Sequence, residues 1–291
     1  MYQQESFSSA FWRGFKSIPP VIRTIIAINV IVFVFQAVFG PIQIGGRSIN
    51  NIITSYLAFD PSIWTVVTQP WRLFTYMFLH GSGFHLLFNM LWLWWMGRSV
   101  EESVGPRTFS VIYLGAGLGG VFLHIILSYI YGASLVIGAS GAVFGVMVSF
   151  AYLFPTAPIM LLFLPPIQAR FLVAGLIAFD LLFLGSGDGI ARLVHLGGAG
   201  AGYLLIKAHY EGNDLSRFVR PIEQIFKGEP KKKKSSRSPK NKKMYAVADV
   251  EVIEEQDQSE LDRILEKISK KGYDGLTKEE KKTLFELSKK N

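Results

Sequence analysis

Gly138-Ala139-Ser140-Gly141-Ala142-Val143-Phe144-Gly145 sets one hydroxyl in an apolar run with glycines on either side. It falls near the start of a stretch, 134–154, long enough to cross a bilayer. A hydrocarbon core about 30 Å thick needs roughly 20 mostly apolar residues in helical form. Five more such stretches lie at 21–40, 84–97 (extending toward 104), 108–131, 169–184 and 189–209. Glycines interrupt several of them, which packed membrane helices tolerate. The predicted fold is an all-α membrane bundle of six transmembrane helices.

Composition agrees with that reading. Half of the 291 residues are hydrophobic and 18% are charged, against about 25% charged in soluble domains. A disordered or nucleic-acid-coating chain is excluded. Cysteine is absent, which removes disulfides, thiolate metal sites and cysteine nucleophiles. The net charge of +8 is unevenly spread: residues 1–210 hold 10 of the 30 Lys and Arg, and the last 81 residues hold the other 20. Four segments follow: an N-terminal piece, 1–20; the six-span core, 21–210; a charged linker, 211–258; and a small C-terminal helical hairpin, 259–291.

Lys and Arg favour the cytoplasmic side of a membrane. With the N-terminus inside, Arg13, Lys16, Arg23, Arg98, Arg107, Arg170, Lys207 and the basic tail are all inside, and Arg47, Arg72 and Arg192 are outside. Both termini are therefore expected in the cytoplasm, with 41–83 as one long outer loop carrying structure of its own. The stretch 21–40 has no A-x-A-like cleavage site and is followed by further spans, so no signal peptide is expected.

Polar groups inside apolar spans are costly and are functional candidates by default. His85 and Asn89 open the second span at i, i+4, on one helical face. Ser140 and His195 stand near the starts of the fourth and sixth spans, which run in the same direction. Six residues of helix is about 9 Å of depth, so these four groups converge near the outer surface. Gly141 with Gly145, and Gly198 with Gly202, form two G-x-x-x-G pairs that allow close backbone approach. A serine hydroxyl beside an imidazole is the minimum for nucleophilic acyl transfer, with His195 taking the proton as Ser140 attacks a carbonyl. Asn89, His85 and the Ser140 backbone N–H supply donors for the resulting oxyanion. No carboxylate is expected at a matching depth, so the reading is a Ser140/His195 dyad, its imidazole oriented by packing against Phe144.

These residues resemble the rhomboid family of intramembrane serine proteases, over about 70–210. The matching features are Trp71-Arg72 in the outer loop, H-x-x-x-N as His85 and Asn89, G-x-S-G as Gly138-Ala139-Ser140-Gly141, and His195 followed by Gly198 and Gly202. The resemblance implies a rhomboid-like bundle, the Ser140/His195 dyad, the oxyanion hole above, and a membrane-dipping outer loop stabilised through Trp71 and Arg72. It further implies endopeptidase cleavage of single-pass transmembrane proteins near the outer face, with no metal and no cofactor, in a bacterial inner membrane. Glu101 and Arg98 also look similar, in a structural role. Phe144 stands where many members carry Tyr, keeping the ring and losing the hydroxyl.

Other readings are weighed beside these. The alternative function is a catalytically silent rhomboid-like protein that binds membrane helices. A transporter is disfavoured because the polar groups cluster near one face. His80 is read as a loop or interface residue, His124 as a satisfied polar group, and His209 as a snorkelling group at the inner face. Trp92, Trp94 and Trp95 are expected to face lipid or anchor the inner interface, with substrate contact as the lesser reading. Asp180 is read as structural, in need of a partner or a proton, with gating or substrate contact as the other possibility. Gly185-Ser186-Gly187-Asp188 formally matches the G-x-G-D of aspartyl intramembrane proteases, but lacks a second aspartate on an opposing span and is read as a turn. H-E-x-x-H is absent, which excludes a zinc intramembrane protease.

In the tail, nine basic residues between Lys227 and Lys243 read as a linker attracted to anionic lipid headgroups, and nucleic-acid binding is not inferred. Seven acids follow between Asp249 and Asp262. Leu261, Ile264, Leu265 and Ile268 then recur at helical spacing, Gly272 stops that helix, and Thr277 with Glu280 forms a capping box before Leu284 and Leu287. The hairpin resembles the module following rhomboid cores in Bacteroidetes bacteria, and is expected to dock a cytoplasmic partner or the core's inner face.

Overall fold

The computed structural model describes residues 7–161, 165–185 and 189–221, together with 263, 264, 266, 267, 276, 277, 280 and 283. Contacts divide the chain into two compact units, Met1–Pro230 and Lys231–Asn291. The first opens with α1 (Phe7–Ser17) and α2 (Pro20–Phe39). A two-residue hairpin, β1 (Gln43–Ile44) with β2 (Arg47–Ser48), leads into α3 (Ile49–Leu57). Short helices α4 (Ile63–Thr68) and α5 (Arg72–Thr75) follow, the latter running into a 3-10 turn at Tyr76–Phe78. The long helices are α6 (Gly83–Val104), α7 (Pro106–Tyr131), α8 (Ser140–Leu153), α9 (Ala169–Leu182) and α10 (Gly189–Tyr210). A second small hairpin, β3 (Pro158–Ile159) with β4 (Ile167–Gln168), separates α8 from α9.

Among the described residues three helices, α2, α7 and α10, are both long and apolar enough to cross a membrane, and α8 is a shorter apolar helix. Their outward faces are apolar as well: Ile31 and Val34 on α2, Phe122 and Ile126 on α7, and Leu204 on α10 are exposed. Such faces suit lipid, where burial in hydrocarbon replaces burial in a core. The helix ends lie close to the expected span ends. α6 runs the full distance to Val104, and its charged C-terminal end is put to use: both carboxylate oxygens of buried Glu101 accept bonds from Val21 and Ile22 N–H, each 2.9 Å. Those N–H groups open α2, where Pro19 and Pro20 supply no side-chain cap.

One boundary differs from expectation in a way that matters. Helix α8 begins at Ser140, not near 134. Residues before it are held extended: Val136 exchanges backbone bonds of 2.9 Å with Phe59, and Gly138 N–H donates to the Tyr76 carbonyl at 2.9 Å. Gly138 has φ of 120°, a conformation that side chains rarely adopt. Ser140 therefore opens a helix, after an extended segment pinned by the 41–83 loop. That loop is itself structured: Tyr76 hydroxyl donates to Gly117 O (2.8 Å) and Thr75 Oγ1 to Leu57 O (2.7 Å).

Helices α7, α8 and α10 form the tightest part of the bundle. A Cβ on Gly198 would strike the Gly141 carbonyl, and one on Gly202 would strike Gly145 backbone. The two G-x-x-x-G faces thus meet with backbone against backbone. After α10 the chain continues into a 3-10 turn, Leu215–Phe218, whose Leu215 is buried.

In the second unit, the Thr277 hydroxyl accepts from Glu280 N–H (3.2 Å) while Glu280 Oε2 accepts from Thr277 N–H (2.8 Å), the capping box read from the sequence. Lys267 Nζ lies 2.8 Å from both Glu280 oxygens. The basic run, the acidic run and most of the hairpin fall outside the described residues, as do 186–188 of the G-x-G-D match.

Candidate active site

A cavity of about 420 Å³ opens among α6, α8, α9 and α10, and Ser140, His195, His85 and Asn89 all line it. Each is placed by a local feature. Ser82 accepts from His85 N–H at 3.2 Å and so fixes the first turn of α6. One turn later Asn89 Nδ2 donates to the His85 carbonyl at 2.9 Å. Gly138 passes so near the His85 imidazole that a Cβ there would meet Cε1 at 2.6 Å. Ser140 is the first residue of α8, where backbone N–H groups have no intrahelical acceptor and the helix dipole is positive. His195 is half-buried on α10, two turns from the start of that helix.

The His195 ring is held on two sides. Its face stacks on Phe144, with centroids 4.3 Å apart and planes 7° apart. Its Nδ1 lies 3.0 Å from Asp180 Oδ2 on α9. This corrects the expectation that no carboxylate reaches the pair. Asp180 is buried, and its Oδ1 is 3.8 Å from Arg192 Nε. The sequence carried a signal for this: the midpoint of 180 and 195 falls between the end of α9 and the start of α10, and residues about equally distant from the link between two consecutive helices that pack together come near one another.

The remaining expectations fall as follows. Trp71 Nε1 donates to the Tyr56 carbonyl (3.0 Å), and buried Arg72 lies 4.0 Å from Asp60 Oδ2, so both tie the 41–83 loop together. His80 is buried beneath that loop, its ring 4.9 Å from His85. Burial and the neighbouring His85 push its pKa down to about 4. His124 is buried with Nε2 3.2 Å from the Ser134 carbonyl, whereas its Nδ1 has no hydrogen-bond partner, so the expected satisfaction holds for one ring nitrogen of the two. His209, with Lys207, sits in the last turn of α10, where cations suit the dipole. Trp94 is exposed, but Trp92 and Trp95 stack on each other 5.7 Å apart against the core, and Trp92 lines the cavity. Among the described residues no cluster of His, Asp or Glu has the grouping of a metal site.

Residues 67–211, which hold the whole cavity lining, match the family described as Rhomboid domain. The chain belongs to the rhomboid family and is a multi-pass membrane protein. It is similar to Rhomboid protease GluP of Bacillus subtilis (strain 168), 31% identical over 172 residues, 57% of this chain and 31% of the relative. It is also similar to Rhomboid protease GlpG of Klebsiella pneumoniae subsp. pneumoniae, 30% identical over 192 residues, 63% of this chain and 60% of the relative. RHOMBOID-like protein 12, mitochondrial, of Arabidopsis thaliana is 30% identical over 221 residues, 68% and 62%. The chain thus spans between 31% and 62% of the length of these curated relatives. Residues 253–290 match a second family, one of unknown function (DUF6576).

Proposed function

We propose that the protein is an intramembrane serine endopeptidase that cuts transmembrane segments of other membrane proteins near the outer face, using Ser140 and His195. The observation that carries this reading is the shared cavity: a serine at a helix N-terminus and an imidazole stacked on Phe144 face the same space as His85 and Asn89. The relatives named as rhomboid proteases support the same chemistry.

In this reading the Ser140 hydroxyl proton passes to His195 Nε2 as Oγ bonds to the scissile carbonyl carbon. The carbonyl oxygen gains negative charge beside the Ser140 N–H, the Asn89 amide and His85. An amide has two N–H donors, and only one of Asn89's is used by the His85 carbonyl. Each such donor contributes about 3 kcal/mol of transition-state stabilisation. Collapse breaks the C–N bond, and His195 returns its proton to the departing amine. Water, deprotonated by His195, then hydrolyses the ester and restores Ser140.

The bundle is read as six spans, with α6, α8 and α9 completing the set. Fourteen helical residues rise about 21 Å, and the extended segment above Ser140 supplies the remaining depth of that span. Both termini lie in the cytoplasm of a bacterial cell whose inner membrane holds the protein. The basic tail meets anionic headgroups, and the 253–290 module docks a cytoplasmic partner or the core's inner face. Deletion of 244–291 with no change in activity, abundance or interactors removes that last assignment.

The test is cleavage in liposomes of a fluorogenic single-span peptide with Ala, Gly and Ser just inside its outer end. Wild-type protein should cut it and Ser140→Ala should not. Binding without cutting by folded wild-type protein would make it a silent helix-binding relative instead.

A further inference from the structure

We propose that Asp180 is a positioning residue for His195, so that the site works as a serine–histidine–aspartate arrangement. The inference rests on the Ser140/His195 reading above. A carboxylate only accepts hydrogen bonds, so the 3.0 Å contact to Nδ1 places the imidazole proton on Nδ1. Nε2 then carries the lone pair, on the side of the ring away from α9, as a base for Ser140 requires. Stacking on Phe144 fixes the plane of the ring but leaves its rotation within that plane open. The bond to Asp180 removes that freedom.

The carboxylate is built into place. Its side chain is 8% exposed, and Arg192, 3.8 Å from Oδ1, sets a counter-charge beside it. The guanidinium is anchored in turn by donating from Nη1 to the Phe183 carbonyl at the C-terminus of α9 (2.8 Å). It also lies 5.9 Å over the Phe179 ring. Arg192 and His195 are three residues apart on α10 and so share a face, with Asp180 reaching between them from α9. Among the described residues of α9, only Ala169, Val173 and Asp180 are buried. The carboxylate is thus held against α10, one oxygen toward the imidazole and the other toward Arg192.

An interhelical tie and a positioning residue predict different results. In detergent, the inactivation constants of a fluorophosphonate probe would be measured for wild type and for the Asp180→Asn, Asp180→Ala and Asp180→Glu variants, with Ser140→Ala as the blank. The His195 tautomer would be read by ¹⁵N NMR on histidine-labelled protein. A positioning role predicts that kinact falls about 10²-fold or more in the Asn and Ala variants with KI unchanged. It further predicts partial recovery in Glu, and an Nδ1–H signal that is lost with the carboxylate. Should Asp180→Ala unfold, Asp180→Asn has the same shape and carries the comparison. An unchanged kinact in folded Asp180→Asn, with the adduct still on Ser140, overturns this inference alone. Failure of wild type itself to form the Ser140 adduct overturns both this inference and the protease reading.

Discussion

Phe144 and His195 present their rings face to face, one turn below the serine that opens α8. Aromatic stacking of this kind contributes about 0.5–1.5 kcal/mol beyond simple burial. Phe144→Ala is therefore expected to lower kcat roughly tenfold by loosening the imidazole, whereas Phe144→Tyr keeps the ring and should cut as wild type does. Steady-state cleavage of the single-span peptide distinguishes the two. Equal activity in Phe144→Ala would show that stacking does not hold the base.

Gly198 and Gly200 provide a matched pair. A methyl on Gly198 meets the Gly141 carbonyl, whereas nothing lies within 4 Å of the corresponding point at Gly200. Because backbone has no rotamer to give, Gly198→Ala should force α8 and α10 apart at a cost of about 1–3 kcal/mol. Its thermal midpoint in detergent should fall and Ser140 labelling should weaken, with Gly200→Ala close to wild type. Equal midpoints would contradict the close approach.

Glu101 tests the opposite end of the bundle. Removing its two acceptors in Glu101→Ala leaves the Val21 and Ile22 N–H groups buried without partners, a loss of about 1–3 kcal/mol for an unsatisfied group. A lower midpoint is expected, with the kinetics of whatever protein remains folded unaltered. A change in kcat at constant stability would assign Glu101 a role that this geometry does not give it.

His80 gives the fold a pH dependence. Its pKa is lowered from 6.5 to about 4, chiefly by burial. The unfolded chain therefore binds more protons than the folded one between those values. The stability that His80 contributes is complete above about pH 6.5 and is lost as the pH falls toward 4. Thermal midpoints across pH 4–8 should fall on the acid side, and the difference between wild type and His80→Gln should change with pH only between about 4 and 6.5. Parallel curves would show that the ring is not held neutral.

Much of this was legible beforehand because a bilayer imposes a length. The stretches 21–40 and 108–131 correspond to helices Pro20–Phe39 and Pro106–Tyr131, since uninterrupted apolarity leaves the backbone no other way to satisfy itself. The stacking of Phe144 on His195 was also readable, from one helical turn of spacing after Ser140. The start of α8 was not. Val136 is as apolar as a helical residue, and only its pairing with Phe59, remote in sequence, makes it extended. Asp180 was singled out as a carboxylate needing a partner, but that the partner is His195 was missed for a similar reason. Depth was reckoned along each span separately, whereas the contact with His195 depends on how α9 and α10 pack side by side. Trp92 was read chiefly as a lipid-facing or interface residue, with substrate contact as the lesser reading, and its side of α6 turns toward the cavity.

The central claim is that Ser140 is a nucleophile activated by His195, and it can be tested without knowing a substrate. Purified protein in detergent would be labelled with a fluorophosphonate and the adduct mapped by mass spectrometry, alongside Ser140→Ala and His195→Ala. The account predicts an adduct on Ser140 that is lost in both variants, with losses on the order of 10³-fold or more. An adduct that persists in His195→Ala, or none in folded wild-type protein, would contradict it.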